Sequence, residues 1–475
     1  MTLGAAALRG RLREILGADG VLTAAADCAP YLSDHRQLYR GAALAVALPR
    51  TVAQVSQLLA CCDQERVGVV PQGGNTSYCG GAVPDESAQQ LVLSLQRLNH
   101  IRSVDAANYS LVAEAGCVLA RVQRAADEAE RLLPLTLGSQ GSCQLGGNLS
   151  TNAGGTSVLR YGMARDLVLG LEVVLADGRV LDGLSALRKD NTGYDIKSLF
   201  LGAEGTLGVI TAASLKLFPK VRDVATAFAA VPDVRAAVAL LACLREASGD
   251  RVSSFELIPR IAVELTTRHI AQVSDPLERL HDWYVLCEVA SSRANDGMDE
   301  LLGNALGAAL AAGLVRDAAV AHSERERAAL WRLRESIPEA QRKEGAGLKH
   351  DIAVPVAALA DFLARASLWV STHVPEGCLV AYGHLGDGNL HFNVSQRPES
   401  DIKSFVARGP VLELAMFDLV ESLGGSISAE HGIGRLKAAE FARRADPVEL
   451  AVMHELKRAL DPKGILNPGK VLCVR

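Results

Sequence analysis

The chain has 475 residues, of which 49% are hydrophobic and 22% charged, and its formal net charge is −5. This length exceeds one ordinary core and predicts at least two domains, while the acidic balance argues against nucleic acid or an anionic membrane as the main partner. The 10 cysteines are scattered without a CxxC pair, which excludes a disulfide scaffold and favours a reduced, cytoplasmic protein.

The first sixteen residues interrupt apolar positions with charges at helical spacing, which predicts an amphipathic helix in preference to a signal peptide. An apolar run at 42–48 is followed by Thr51, a predicted N-cap, and then by a buried strand at 67–70. That strand leads into the loop 71–77, which is rich in glycine and hydroxyl groups. Its backbone N–H groups could face an anion such as a pyrophosphate, although a plain turn explains this loop equally well.

Two further glycine-rich segments favour the ligand-binding interpretation over a plain turn. They cover residues 137–155 and 202–210, and they flank a predicted strand at 168–175. Glycine, serine and asparagine at this density cost folding entropy, which a long extended ligand lying against the backbone would explain. Neither GxGxxG nor GxxxxGK[ST] occurs in these loops, so a dinucleotide-binding βαβ unit or a P-loop is disfavoured.

Beyond residue 219 the pattern changes to strands at 224–231 and 283–290 and helices at 233–248 and 295–315. This order predicts an α+β domain with an antiparallel sheet and helices on one face. A final helix is predicted at 447–460.

The segment 382–393 contains two histidines around Asp387-Gly388, a preferred two-residue hairpin turn. Such a turn would place His384 directly opposite His391, with Cβ atoms roughly 5 Å apart. Two imidazoles at that distance can hold one divalent metal ion.

A third candidate ligand, Glu430, lies among small residues and directly precedes His431. Two histidines and a carboxylate suit catalytic zinc, with manganese or iron as alternatives. Adjacent side chains on an extended chain point in opposite directions, so His431 is expected to remain available as a base. One such histidine alone would more often be structural, but the combination favours a site.

Binding of a substrate carboxylate would need a cation. Arg334 lies on a predicted helix after Ser323, and Lys349 lies in the next strand. Arg334 can bind a carboxylate through two hydrogen bonds, although a single Arg or Lys is usually a solvated charge. Asn393 would share its strand face with His391.

The three glycine-rich segments, the HxGDGNxH pattern at 384–391 and the Glu-His-Gly at 430–432 resemble the vanillyl-alcohol oxidase / p-cresol methylhydroxylase superfamily over nearly the whole chain. The resemblance is closest to its FAD-dependent D-2-hydroxyacid dehydrogenase branch, which includes D-2-hydroxyglutarate dehydrogenase. It implies an α+β fold: a p-cresol-methylhydroxylase-type FAD-binding domain at 1–222, an α+β cap domain at 223–430, and a segment at 431–475 that returns to the FAD domain.

The resemblance also implies FAD as cofactor. No histidine occurs between His100 and His269 or at 71–81, so the FAD is expected to be non-covalent. The implied FAD-binding residues are Pro71, Gly73, Gly74, Asn75, Thr76, Ser77, Gly138, Ser139, Gly141, Gly146, Gly147, Asn148, Thr151, Asn152, Gly154, Gly155, Gly205, Gly208, Ile210 and Asn467.

The family pattern assigns roles to the remaining candidates in the same way. Two histidines and the Glu hold the metal, the following His is the base, and an Arg, a Lys and an Asn contact the substrate. These positions are His384, His391, Glu430, His431, Arg334, Lys349 and Asn393 here. Pro338 stands where the family commonly has Thr, which puts one substrate hydrogen bond in question.

The expected reaction is oxidation of a D-2-hydroxy acid to a 2-oxo acid, with D-2-hydroxyglutarate placed before D-lactate or glycolate. A non-catalytic FAD-binding subunit and an oxidase that reacts with O₂ are the rival interpretations. The expected partners are a soluble electron acceptor, such as an electron-transfer flavoprotein, and a second copy in a homodimer.

Overall fold

The computed structural model describes residues 3–473, which form two compact units. The first unit comprises the chain up to Gly154, Met163–Lys220 and the segment that begins at Glu430; the second comprises Gly155–Gly162 and Val221–Ala429. The segment Gly155–Gly162 is thus part of the second unit, although the sequence interpretation had included it in the first domain.

The first unit contains three sheets. A four-stranded sheet has the order β1-β2-β4-β3, with β2, β3 and β4 parallel; an antiparallel sheet has the order β5-β6-β10-β8-β9; and β7 pairs with β11. The strands are β1 (Val21–Leu22), β2 (Ala45–Ala47), β3 (Val69–Gln72), β4 (Leu91–Ser94), β5 (Ile101–Asp105), β6 (Ser110–Glu114), β7 (Arg131–Leu132), β8 (Val168–Val174), β9 (Val180–Gly183), β10 (Val209–Lys216) and β11 (Phe218–Pro219). The helices before residue 155 are α1 (Ala5–Leu16), α2 (Ala25–Cys28), α3 (Val52–Glu65), α4 (Leu119–Glu128) and α5 (Leu145–Ser150).

Local sequence explains how these elements begin. Thr51 caps α3 by accepting a hydrogen bond from the Gln54 N–H at 3.2 Å, as the sequence predicted. The buried face of α3, including Leu58 and Leu59, then packs into an apolar cluster with β2 and β4. The same cluster includes Val69 of β3, so α3 also supports the strand that leads into the glycine-rich loop 71–77.

The second unit is built on one antiparallel seven-stranded sheet with the order β15-β12-β14-β13-β17-β18-β16. Its strands are β12 (Asp223–Val231), β13 (Val252–Pro259), β14 (Trp283–Ser291), β15 (Asp317–Val320), β16 (Gly347–Ala353), β17 (Gly377–His384) and β18 (Asn389–Gln396). Its helices are α6 (Val158–Tyr161), α7 (Val234–Ser248), α8 (Arg260–His269), α9 (Met298–Ala311), α10 (Glu324–Glu335), α11 (Ile337–Glu344), α12 (Leu359–His373), α13 (Ile402–Ala407) and α14 (Gly409–Ser422).

The predicted antiparallel sheet is confirmed. Helices cover both of its faces, so the prediction of helices on one face is wrong. Ala227 and Ala229 on β12 pack into a cluster with α7, α9, α12 and α14. Their neighbours Phe228 and Ala230 pack into another with α8, α10 and α11. Because successive side chains of a strand point to opposite faces, a strand that is apolar at every position must be buried on both.

The C-terminal segment of the first unit contains α15 (Ala438–Arg444) and α16 (Pro447–Leu460). After α16 the chain runs beside β3, where Leu466 forms a parallel bridge with Val69 and the Asn467 N–H donates to the Val69 carbonyl at 2.8 Å. Within residues 3–473 no helix has both the length and the apolar character needed to cross a bilayer.

Candidate active site

The hairpin of β17 and β18 brings His384 and His391 onto one face of the sheet, although not in the predicted register. Tyr382, and not His384, pairs with His391. The connection is a 3₁₀ turn at Leu385–Asp387 followed by Gly388, so the predicted two-residue turn is wrong. Side chains alternate with period two, so this shift of two residues leaves His384 on the same face as His391. The two ring centroids are 5.4 Å apart.

Gly388 determines this turn. Its φ of 83° lies in the left-handed region, and a Cβ added there would lie 2.1 Å from the Val354 carbonyl oxygen. No other residue fits this position without moving the backbone.

A buried carboxylate, Glu256 on β13, holds His384. The sheet register places the two residues opposite each other, and Nδ1 of His384 lies 2.6 Å from Oε1 of Glu256. The other oxygen, Oε2, accepts hydrogen bonds from Nε and Nη2 of Arg334 at 2.7 and 2.6 Å. Burial of Glu256 opposes its ionisation, but the charge of Arg334 and the contacts with Arg334 and His384 outweigh burial and lower its pKa to about 2. Glu256 is therefore an anion at neutral pH.

Arg334 is a buried cation and not the solvated helix charge that was the alternative. It lies near the end of α10, is only 6% exposed, and places its guanidinium 4.8 Å from the centroid of the Tyr382 ring. Its Nε and Nη2 both contact Glu256, and Nη1 lies outside this contact. Pro338 occupies the first turn of α11, where a missing N–H costs little.

Strand β16 adds further polar groups to the same face. Its register places Lys349 opposite Asn393 and Asp351 opposite His391. Lys349 is exposed on this edge strand, whereas Asn393 is buried and its Nδ2 donates to Oε1 of Gln341 at 3.0 Å. The structure thus brings the predicted substrate residues of this unit onto one sheet face with the two histidines.

Asp351 was missed by the sequence analysis. It is 2% exposed, accepts a hydrogen bond from Nδ2 of Asn389 at 2.9 Å, and lies 3.9 Å from Nδ1 of His391. The sequence pattern could have predicted the position of Asp351, because this residue is two positions after Lys349 in a predicted strand and therefore shares its face. Glu256 had no comparable signal, since it is 128 positions away from His384.

The other two predicted residues, Glu430 and His431, belong to the first unit. Nε2 of His431 is 3.8 Å from Oε1 of Glu430, and its ring centroid is 4.5 Å from that of Tyr78. The chain bends here, so the argument that the two side chains point in opposite directions is wrong. Their predicted roles as ligand and base do not depend on that argument alone and stay predictions.

A second buried carboxylate, Glu204, holds the loop that follows His431. Its two oxygens accept hydrogen bonds from the N–H groups of Ile433 and Gly434, at 2.7 and 2.9 Å. Burial raises the pKa of Glu204 to about 7, against the effect of these hydrogen bonds and of Lys437. Glu204 was also missed, although an acidic residue among the glycines of 202–208 was a visible signal.

Three glycine-rich loops meet within the first unit. A Cβ added at Gly74 would lie 2.3 Å from the Ser142 carbonyl oxygen, and one added at Gly73 would lie 3.4 Å from Cα of Gly147. One added at Gly205 would lie 3.0 Å from Cγ of Pro71. The loop after β3 therefore approaches the segment 142–147 backbone to backbone, and the segment before β10 packs against the ring of Pro71.

The polar groups beside these loops suit a large polar ligand. Within residues 3–473, the backbone N–H groups at 73–77 donate to no other protein group. Among the same described residues, the buried oxygens Oε1 of Gln144 and Oδ1 of Asn467 have no hydrogen-bond partner. The amides suit a pyrophosphate, and the two oxygens suit the hydroxyl and ring N–H donors of a flavin nucleotide. These residues fit FAD.

Comparison with known families identifies this arrangement. A family model described as "FAD binding domain" matches residues 43–183, and one described as "FAD linked oxidases, C-terminal domain" matches residues 220–471. The chain belongs to the FAD-linked oxidase family. FAD is therefore its cofactor, and this family member is an oxidoreductase, as the sequence predicted.

Individual relatives agree with this family. The chain is 39% identical to the mitochondrial D-2-hydroxyglutarate dehydrogenase of Arabidopsis thaliana, over 97% of this chain and 80% of the relative. It is 41% identical to the enzyme of the same name from Bos taurus, over 95% of this chain and 81% of the relative. Those names place the relatives in mitochondria, and a cytoplasmic location for this family member stays a prediction.

A solved structure of p-cresol methylhydroxylase with substrate bound is similar to the whole chain. The TM-score is 0.77 at 18% sequence identity, and the match covers 100% of this chain and 98% of the other. The predicted p-cresol-methylhydroxylase-type fold is confirmed.

Gly74→Ala should weaken FAD binding about 10-fold or more, because overpacking of backbone against backbone costs about 1–3 kcal/mol. The measurement is a titration of the apoprotein with FAD. Gly303→Ala in α9 is the matched control, since an added Cβ there meets nothing within 4 Å. Equal FAD affinity of both variants would contradict the close approach of the loops.

Glu204 should make the stability of the protein depend on pH. Its folded-state pKa is raised from 4.5 to about 7, so its protonation stabilises the fold below pH 4.5, and this stabilisation is lost as pH rises to about 7. The free energy of unfolding of the wild type, relative to Glu204→Gln, should therefore fall by up to about 3 kcal/mol across this range. Thermal unfolding of both proteins from pH 5 to 8 checks this, and a constant difference would refute it.

Proposed function

We propose that this FAD-linked oxidase oxidises D-2-hydroxyglutarate to 2-oxoglutarate. The observation that carries the proposal is the sheet face on which His384, His391, Lys349 and Asn393 lie together, with Arg334 held against it by Glu256. The two relatives named after this substrate support the choice. Cations and imidazoles on one face suit an anionic hydroxy acid.

The charges favour a dicarboxylate over a monocarboxylate. Arg334 supplies a fixed guanidinium through its contact with Glu256, and Lys349 supplies an ammonium on the edge strand. A substrate with two carboxylates can use both cations, whereas D-lactate or glycolate can use one. Asn393 would add a hydrogen bond and Pro338 would not.

A divalent metal forms part of the proposal. The predicted ligands are His384, His391 and Glu430, a set that suits zinc and also manganese or iron. The contact of His384 with Glu256 is the carboxylate–histidine arrangement that commonly supports a metal ligand. Such a metal would lower the pKa of the substrate hydroxyl.

The residues of the chain then have distinct roles. Arg334, Lys349 and Asn393 bind and orient the substrate, and the imidazole of His431 takes the hydroxyl proton. FAD, bound without a covalent link, supplies the acceptor for the hydride that leaves the α-carbon. A soluble acceptor, such as an electron-transfer flavoprotein, would take up the electrons, and the proposed working form is a homodimer.

Anaerobic mixing with D-2-hydroxyglutarate should bleach the flavin. We expect a kcat/KM at least about 10-fold higher than for D-lactate or glycolate, since one charged hydrogen bond contributes about 1.5–3 kcal/mol. Steady-state kinetics with an artificial dye acceptor measure this ratio. Equal or faster turnover of D-lactate would contradict the substrate, and absence of bleaching by every acid would contradict the reaction.

The His384→Ala variant should retain FAD, but its rate of flavin reduction should fall about 100-fold or more, because a metal contributes several kcal/mol to charge stabilisation. The measurements are flavin absorbance, metal content and the rate of anaerobic reduction. His373→Ala is the control, since His373 is exposed at the end of α12. A His384→Ala variant and a chelator-treated wild type that both react at full rate would exclude the metal.

A further inference from the structure

Glu256 differs from an ordinary structural carboxylate in having partners with two separate chemical roles. It lies in the middle of β13 and is 0% exposed. One of its oxygens contacts Arg334, the proposed substrate cation, and the other contacts His384, the proposed metal ligand.

The contact with Glu256 selects one form of the His384 ring. Arg334 holds Oε2 of Glu256 through Nε and Nη2, and a carboxylate paired with a guanidinium only accepts hydrogen bonds, so Nδ1 of His384 carries the proton that points to Oε1 of Glu256. The lone pair of a neutral His384 is then on Nε2, and this is the nitrogen that can bind a metal.

The same carboxylate fixes the orientation of Arg334. Nε and Nη2 both donate to Oε2 of Glu256, which holds the plane of the guanidinium while the Tyr382 ring packs against its face. The position of Nη1 follows from these contacts, because the guanidinium is planar and rigid.

We infer that Glu256 is a positioning residue that fixes the substrate-binding cation and the metal-binding imidazole relative to each other. The inference rests on the proposed function, which assigns those roles to Arg334 and His384. It predicts that a single change at Glu256 weakens both substrate binding and metal binding through Arg334 and His384, which engage both of its oxygens.

Glu256→Gln tests this inference, and Glu288→Gln provides a matched control. Glu288 is a buried carboxylate on the neighbouring strand β14, and it contacts Arg327 at 2.9 Å and Trp331 at 3.0 Å, both on α10. It therefore links the same helix to the same sheet without contacting a proposed site residue.

For Glu256→Gln we expect an about 10- to 100-fold loss of Zn²⁺ affinity, measured by competition with a chelator in the absence of substrate. We also expect KM for D-2-hydroxyglutarate to rise about 10-fold or more, with FAD retained. For Glu288→Gln we expect both quantities to stay within about twofold of the wild type. Equal losses in the two variants would show that Glu256 only joins α10 to the sheet and would overturn the inference.

A second measurement does not require the Glu256→Gln variant to fold. Nitrogen NMR of the metal-free wild type, with His384 assigned through His384→Ala, should show the proton of the neutral ring on Nδ1. A proton on Nε2 overturns the inference, as does a wild type that binds neither Zn²⁺ nor Mn²⁺.

The two proposals fail in different ways. If no hydroxy acid reduces the flavin of the wild type, the proposed function fails, while the zinc affinities and the ring tautomer still decide the role of Glu256. If D-2-hydroxyglutarate reduces the flavin and Glu256→Gln retains wild-type zinc affinity and KM, the role of Glu256 fails alone.

Discussion

Burial on both faces of the seven-stranded sheet constrains the polar side chains of its inner strands. A polar group on such a strand has little access to water, so it must find its partner within the protein. Glu256 meets Arg334 and His384, and Asn393 meets Gln341. The candidate site is built from these paired groups, and pairing leaves each side chain few orientations. Placement on buried strands therefore produces the preorganisation that binding a charged acid requires.

The two buried carboxylates show how the kind of partner decides the charge of a buried group. The pKa of Glu256 is about 2, whereas that of Glu204 is about 7. Burial opposes ionisation in both, but Glu256 faces a guanidinium and an imidazole, while Glu204 accepts mainly from backbone N–H groups, which carry only partial charge. Replacing a buried ion pair by apolar residues often leaves stability unchanged, so positioning is the stronger explanation for the Glu256 network.

Local patterns predicted much of this molecule, and contacts between distant segments account for what they missed. The Thr51 cap, the antiparallel sheet and the proximity of His384 to His391 follow from short-range rules of capping and alternation. The hairpin register was wrong because Asp-Gly favours a two-residue turn, whereas the chain forms a 3₁₀ turn closed by Gly388. The error did not change the predicted face because the shift was an even number of residues. A shift of one would have placed His384 and His391 on opposite faces of the sheet. The bend at Glu430 and the second layer of helices were also not predicted, because no short sequence pattern indicates either of them.

Glu204 and Glu256 share a property that explains why neither could be found from motifs. Each holds a segment that carries a proposed reacting group, and each does so from far away in sequence: 229 positions separate Glu204 from Ile433, and 128 separate Glu256 from His384. The motifs around His384 and His431 supply imidazoles, but a short loop or a strand end cannot by itself fix a ring to one orientation. A carboxylate from another strand or loop can, because it adds a charged contact whose geometry is set by the rest of the fold. The reacting groups are thus encoded locally, whereas their orientation is a property of the folded unit.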